Sequence, residues 1–279
     1  MSGLFVAVGD SFTEGVGDPN LHYPNQVRGW ADRFARQLGR ADPTWRYANF
    51  AIRSKFLDQV VSDQLEPALA LGPTHISFSA GGNDLLALRA DVDGIAERYE
   101  QALLRLVDSG AHVIVFTTFV PRATGLLKPL ARRVGAFNDA IRDLAASHDV
   151  TLIDHDAMRE FDAKGLWALD RIHMSRPGHK RMAAVVAETL EVPHTLKLSD
   201  LMPPDAPGWR HALRNEAEFV RDEVVPLVRR RMRGEYEGDT TRPKWPEPIH
   251  PRDGMKRLAA EQAAVERRLR AWGEVLERV

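Results

Sequence analysis

The first clear structural signal of the chain is the segment Leu4-Phe5-Val6-Ala7-Val8-Gly9-Asp10-Ser11-Phe12-Thr13-Glu14-Gly15. Its first five residues form an unbroken apolar run, which is typical of a short strand buried on both faces of a parallel sheet. Glycine follows the run directly and allows another part of the backbone to come close. A serine just beyond a strand end can present its hydroxyl group in a cleft and its own N–H to a developing oxyanion. We therefore expect a buried strand followed by a candidate nucleophile, Ser11.

Further apolar runs repeat this pattern along the chain. They lie at residues 45–49, 75–78, 112–116 and 150–153. Apolar residues at helical spacing separate them, for example Trp30, Phe34 and Leu38. The alternation predicts an α/β fold with a central parallel sheet of five strands, covered by helices on both faces. Such sheets carry their chemistry on the loops at the carboxyl ends of the strands.

Two later loops also follow expected strands and carry useful polar side chains. The loop Ser79-Ala80-Gly81-Gly82-Asn83-Asp84 offers the Asn83 amide as a donor for an oxyanion hole. In Asp170-Arg171-Ile172-His173, the carboxylate can bind one imidazole nitrogen and leave the other for a serine hydroxyl. Taken alone, each loop has an ordinary interpretation: a turn at Ser11, a helix N-cap at Asn83, and an exposed salt bridge at Asp170.

The conjunction of these loops, in order and each after a different strand, is more specific than any one of them. Together they resemble the sequence blocks of the SGNH, or GDSL-type, serine hydrolases over roughly residues 4–190. The resemblance implies a flavodoxin-like three-layer α/β/α sandwich that hydrolyses esters or thioesters without a cofactor or a metal. It implies a catalytic triad of Ser11, His173 and Asp170. The implied oxyanion hole consists of the N–H groups of Ser11 and Ser54 and the side chain of Asn83.

One block departs from the family pattern. The segment Asn49-Phe50-Ala51-Ile52-Arg53-Ser54 has the leading asparagine, but Ser54 stands where the family has its oxyanion glycine. Serine has the same backbone N–H as glycine, so position 54 can still donate a hydrogen bond to the oxyanion. If the position needs a positive φ, Ser54 carries strain of about 1 kcal/mol. The neighbouring Arg53 could contact an anionic substrate, although the sequence favours an arginine that is merely solvated.

Composition and charge restrict the class of protein. With 44% hydrophobic residues and a formal net charge of -1, the chain has the composition of a globular protein and no nucleic-acid-binding footprint. The absence of cysteine excludes disulfides and cysteine metal sites. The apolar run near the N-terminus is too short for a signal peptide or a membrane span. We therefore predict a cytoplasmic protein that acts on a small-molecule ester.

Changes in composition predict three parts of the chain. An SGNH-type hydrolase domain spans residues 1–193, a Pro-rich and charged arm with a kinked helix spans 194–253, and a C-terminal amphipathic helix spans 254–279. The kinked helix is expected at 208–233. It ends in a basic run to which we assign no role, formed by Arg229, Arg230, Arg231 and Arg233.

The C-terminal helix carries a stripe of mainly apolar residues at alternating spacings of four and three, as in a heptad seam. Its members are Leu258, Gln262, Val265, Leu269, Trp272, Leu276 and Val279. The seam predicts a homo-oligomer through this helix. Packing of the same stripe on the chain's own catalytic domain is an equal alternative.

The leading functional prediction is serine-dependent hydrolysis of carboxylic esters or thioesters. An O-acyltransferase or a carbohydrate deacetylase is an alternative within the enzymes, because the acyl-enzyme can in principle pass its acyl group to water or to a sugar hydroxyl. A third interpretation is a binding or assembly protein with a degenerate site, suggested by Ser54 and the long C-terminal part. The intact triad argues against it.

Overall fold

A sheet of six strands lies at the centre of the molecule. The computed structural model describes residues 3–87, 89–119, 128–200, 221 and 236–276. The strands are β1 Leu4–Gly9, β2 Arg46–Asn49, β3 His75–Ser79, β4 His112–Phe116, β5 Val150–Ile153 and β6 Trp245–Ile249. Their order is β5-β4-β3-β1-β2-β6, with β1 to β5 parallel. This arrangement confirms the predicted flavodoxin-like α/β fold and its parallel strands.

The five predicted parallel strands are present, and β6 adds a sixth strand that was not predicted at the edge of the sheet. β6 pairs antiparallel with β2. Its sequence, Trp245-Pro246-Glu247-Pro248-Ile249, holds two prolines, which argue against a central strand. An edge strand tolerates proline, since one side of its backbone needs no partner strand.

Helices cover both faces of this sheet. They are α1 Ser11–Glu14, α2 Trp30–Ala41, α3 Leu57–Val60, α4 Glu66–Ala70, α5 Val92–Asp108, α6 Lys128–Ser147, α7 Arg176–Thr189 and α8 Met255–Leu276. A π-helical segment, Val61–Leu65, joins α3 to α4. Among the described residues, no helix is both long and apolar enough to cross a membrane.

The alternation of side chains along β1 produces two separate apolar cores. Leu4, Val6 and Val8 point to one face, where α3 to α6 supply most of the packing. Phe5 and Ala7 point to the other face, against α2, α7 and the start of α8. A sheet with buried residues on both faces and helices outside each of them is the predicted three-layer sandwich.

The segment that contains β6 is anchored in the body of the protein by a buried lysine. Lys244 is fully buried, and its ammonium group forms a salt bridge with the buried carboxylate of Asp32 in α2. The same ammonium donates to the carbonyl oxygen of Glu14 at 2.6 Å. The other Asp32 oxygen accepts from the Trp245 indole at 3.2 Å and the Tyr47 hydroxyl at 3.1 Å. The boundaries proposed at residues 193 and 253 remain predictions, although β6 lies in the central sheet.

The start of α8 also packs on the body. Met255 and Ala259 are buried, and Leu258, the first residue of the predicted seam, packs against the same core. Val265 is 54% exposed, while the side chains of Leu269, Trp272, Leu276 and Val279 lie outside the described residues. The seam therefore stays a prediction beyond its first turn. The kinked helix expected at 208–233, with its basic run, lies outside the described residues apart from Arg221.

Replacing Lys244 by alanine should lower the free energy of unfolding by about 3–5 kcal/mol, because the Asp32 carboxylate would stay buried without its cation. Urea unfolding followed by circular dichroism measures the change. The exposed Lys256 is the matched control, and Lys256→Ala should shift stability by no more than about 0.5 kcal/mol. Equal effects of the two substitutions would contradict the anchoring role of Lys244.

Candidate active site

Ser11 lies at the first turn of α1, directly beyond β1. Asp10 caps this helix, and its side chain accepts from the N–H of Phe12 at 3.0 Å. Gly9 has a φ of 151°, and a Cβ there would lie 2.4 Å from the carbonyl oxygen of Ser79. Only glycine therefore allows the ends of β1 and β3 to approach this closely. The close approach places the Ser11 turn next to the loop that carries Asn83.

A continuous hydrogen-bonded chain joins Ser11, His173 and Asp170. Nε2 of His173 lies 3.0 Å from Oγ of Ser11, and Nδ1 lies 2.7 Å from Oδ2 of Asp170. The other Asp170 oxygen accepts from the backbone N–H groups of Ile172 and His173, each at 3.0 Å. Burial raises the pKa of Asp170, but hydrogen bonds and charge attraction from His173, with the two backbone donors, outweigh burial and hold that pKa below its usual value. The carboxylate is thus ionised and fixed in place behind the imidazole.

The loop bearing His173 is held against the segment that follows α1. Gly17 has a φ of 98°, and a Cβ there would lie 2.1 Å from the carbonyl oxygen of Met174. Next to it, the buried Asp18 carboxylate forms salt bridges with Arg33 of α2 and Arg176 of α7. Since α7 begins three residues after His173, these contacts fix the end of the histidine loop.

The structure brings Asn83 to the same cavity as Ser11. Ser54 lies close to Asn83. The Asn83 amide donates to the Lys55 carbonyl at 3.0 Å and to the Asp10 carboxylate at 3.2 Å. Ser54 is thus next in sequence to a residue bound by Asn83, although Ser54 does not itself line the cavity. Its φ is 64°, in the left-handed region that favours glycine. The sequence departure at this position therefore introduces backbone strain.

The interpretation of Arg53 as a solvated side chain is wrong. Its guanidinium donates to both carboxylate oxygens of Glu14, with Nη2–Oε1 at 2.8 Å and Nε–Oε2 at 3.0 Å. Glu14 is fully buried, and the Arg53 side chain is only 19% exposed. Burial alone lowers the pKa of Arg53, but the contacts with Glu14 outweigh it and raise that pKa above its usual value. No local pattern in the sequence indicates this pair, whose members are 39 positions apart.

A cavity of about 200 Å³ opens at the Ser11 hydroxyl. Aromatic rings form one wall: Phe119 stacks on Trp167 with ring centroids 4.7 Å apart and on His155 at 5.1 Å. Further lining residues are Phe12, Leu130, Val134 and Ile172. A larger and more open groove, lined by residues of the 21–25 segment and α8, contains neither Ser11 nor His173. The small cavity is therefore the one that can hold the reacting group of a substrate.

Among the described residues, His155 and His179 are buried histidines that are neutral in the folded protein near neutral pH. Burial lowers the pKa of His155 to about 3 and that of His179 to about 4. His179 is hydrogen-bonded through both ring nitrogens, to the N–H of Trp30 and the carbonyl of Val16. Nε2 of His155 has no hydrogen-bond partner among the described residues. Burial thus keeps a neutral imidazole in the cavity wall.

The two histidines should make the fold sensitive to mild acid. Below pH about 6.5 the unfolded chain binds protons on these residues, whereas the folded chain does not until about pH 4 or 3. The free energy of unfolding therefore falls as the pH drops through this interval, by up to about 1.4 kcal/mol per pH unit for each histidine. His155→Phe keeps an aromatic ring in the wall and should reduce this slope between pH 6.5 and 5 in urea unfolding. An unchanged slope would contradict the assignment.

Comparison with known proteins identifies the family of the chain. Residues 7–181, more than half of the chain, match the model of the GDSL-like Lipase/Acylhydrolase family. No curated protein matches the chain in sequence.

Solved structures share the fold at low identity. The lipase Lip_vut3 from a goat rumen metagenome is 20% identical, with a TM-score of 0.56 over 67% of this chain and 96% of that one. The acetylxylan esterase Axe2 from Geobacillus stearothermophilus is 18% identical, with a TM-score of 0.57 over 71% and 97%. The α/β hydrolase LAE5 from the metagenome of Lake Arreo is also 18% identical, with a TM-score of 0.57 over 69% and 97%. By the family match, the chain belongs to the GDSL-like lipase/acylhydrolase family and is a carboxylic ester hydrolase.

Proposed function

We propose that the enzyme hydrolyses small-molecule carboxylic esters through an acyl-enzyme on Ser11, with His173 as general base and acid and Asp170 as its orienting partner. The observation that carries this proposal is the hydrogen-bonded chain from Asp170 through His173 to Ser11, with distances of 2.7 and 3.0 Å. In that chain Asp170 binds Nδ1, so Nε2 is the nitrogen available to accept the serine proton.

The reaction has two stages. Nε2 of His173 accepts the Ser11 proton while Oγ attacks the ester carbonyl carbon, and the tetrahedral intermediate collapses as His173 protonates the leaving alcohol. A water molecule then gives its proton to His173 and attacks the acyl carbon, which releases the acid and returns the proton to Ser11. Throughout, the ionised Asp170 stabilises the cationic imidazole.

The developing oxyanion needs donors that are fixed before the reaction begins. We assign the N–H groups of Ser11 and Ser54 and the side-chain amide of Asn83 to this role. Asn83 lines the cavity with Ser11. Its amide spans Asp10 and Lys55, the neighbours in sequence of the two proposed backbone donors. This bridging supports a common location for all three.

The acetylxylan esterase offers an independent parallel. Structures of its catalytic mutants carry alanine in place of a serine, an aspartate or a histidine. In that enzyme the aspartate precedes the histidine by three positions, as Asp170 precedes His173 here. We also propose a cytoplasmic location, based on the sequence, and a homo-oligomer through the C-terminal helix, α8.

Ser11→Ala and His173→Ala should each lower kcat for p-nitrophenyl acetate by about three to six orders of magnitude, and the double variant should be little worse, since the two residues act as one unit. Circular dichroism should show an intact fold. Ser147→Ala, an exposed serine near the end of α6, is the control and should keep full turnover. Near-normal turnover of folded Ser11→Ala, or labelling by a serine-reactive phosphonate at another residue, would refute the mechanism.

Ser54→Gly should stabilise the protein by up to about 1 kcal/mol and leave kcat equal or modestly raised, because glycine adopts the left-handed conformation without strain. Glu191 provides the matched control, since it also has a positive φ, 55°, and lies after α7, away from the cavity. Glu191→Gly should change thermal stability without changing kcat. A clear loss of activity in Ser54→Gly would instead assign a role to the Ser54 hydroxyl.

A further inference from the structure

Glu14 connects the two segments that hold the proposed backbone donors. It is the last residue of α1, the helix that begins at Ser11. Its Oε2 accepts from the backbone N–H of Arg53 at 2.7 Å and from Nε of the same residue at 3.0 Å, and its Oε1 accepts from Nη2 at 2.8 Å. Asn25 supplies a further bond to Oε1 at 2.9 Å. A buried carboxylate with four such bonds fixes the residue before Ser54 relative to the helix that carries Ser11.

The C-terminal part of the chain contacts the peptide group between Arg53 and Ser54 on the side of the Arg53 carbonyl oxygen. Gly238 lies against it so closely that a Cβ would be 2.0 Å from the Arg53 carbonyl oxygen. This peptide is trans, so its C=O and N–H point in opposite directions. The contact with Gly238 therefore sets the direction of the Ser54 N–H.

Residues 236–245, here called the support segment, contact both of the joined elements. Tyr236 packs edge-on against Phe56, two residues after Ser54, with ring centroids 5.3 Å apart. At its other end, Lys244 donates to the carbonyl of Glu14 at 2.6 Å. The support segment thus packs on the outer side of the Glu14–Arg53 pair. It continues directly into the edge strand β6.

We propose that Glu14 and Arg53 are positioning residues which, backed by the support segment, hold Ser54 in its left-handed conformation with its N–H directed to the oxyanion. The inference rests on the proposed function of Ser11. Serine resists a positive φ, so without this clamp the Ser54 peptide would relax and withdraw its N–H from the site. The clamp acts through the backbone and touches no substrate.

The first test adds a methyl group at Gly238 to displace the peptide group between Arg53 and Ser54. Gly238→Ala should lower kcat for p-nitrophenyl acetate by about 10- to 100-fold while KM stays within about twofold, because one oxyanion donor is misaligned and substrate binding is not. Gly135→Ala in α6 is the control, since a Cβ there meets nothing within 4 Å, and it should leave kcat unchanged. A merely structural role of Gly238 would lower the thermal midpoint and leave kcat of the folded enzyme intact.

The second test acts on the pair itself and decides the case if Gly238→Ala does not fold. Arg53→Lys keeps a cation beside Glu14 but cannot bind both oxygens in the fork geometry of arginine. We expect kcat to fall by about 10-fold. In the Ser54→Gly background the same substitution should cost less than about threefold, because glycine holds the left-handed conformation without the clamp.

The outcomes separate this inference from the proposed function. Turnover within twofold of wild type in folded Gly238→Ala and in Arg53→Lys, with Ser11→Ala inactive, would overturn the positioning role and leave the mechanism standing. An equal loss in Arg53→Lys with serine or glycine at position 54 would also overturn it. Activity in folded Ser11→Ala would instead refute the proposed function.

Discussion

Buried carboxylates paired with cations from remote segments are the constraint on which the candidate active site depends. Leaving such a carboxylate unpaired away from water costs several kcal/mol, so each pair fixes the two segments that contribute to it. The pairs are Asp18 with Arg33 and Arg176, Glu14 with Arg53, and Asp32 with Lys244. They join α1, α2, the loop that contains Arg53 and Ser54, the start of α7 and the support segment. The loops around Ser11 are therefore held by electrostatics as much as by the sheet below them.

The sheet determines which loops can meet. β1 lies between β2 and β3, and because these strands are parallel, the loops that bear Ser11, Ser54 and Asn83 all leave from one edge. The histidine loop approaches from the side of β5 and α7, through the contact of Gly17 with Met174. The arrangement leaves a small cavity with polar groups at its base and aromatic rings on one wall. An ester can bury its acyl or alkoxy group against those rings while its carbonyl faces Ser11.

Features of the fold and the site that have local signals are predictable from the amino-acid sequence. Short apolar runs identified β1 to β5, and the spacing of Asp170 and His173 indicated their hydrogen bond, which is observed at 2.7 Å. Substitution of a family glycine by Ser54 indicated a strained position, and the φ of 64° bears this out.

The features that were missed depend on contacts between distant residues. The two prolines of β6 argue against a strand in the sequence, because a sheet tolerates proline in an edge strand and not in a central one. Glu14 and Arg53 are both charged residues of types that are usually exposed, and their separation of 39 positions hides their pairing. Lys244 lies in a Pro-rich stretch, and nothing in the local sequence indicates that its side chain is buried. Charge pairing across such separations has no periodicity, so only the folded chain reveals it.

The serine at position 54 connects these observations. In the proposed oxyanion hole the donor at this position is a backbone N–H, so the side chain is free to vary provided that the backbone keeps its conformation. Glycine keeps it without strain, whereas serine requires other contacts to hold the left-handed turn. Here the Arg53 N–H is bound by Glu14 and the Lys55 carbonyl by Asn83, one on each side of Ser54. The support segment covers the same turn through Gly238. In the proposed oxyanion hole, serine at the position of the family glycine and the C-terminal segment at the sheet edge are thus parts of one arrangement, because the contacts of that segment hold the left-handed conformation that serine disfavours.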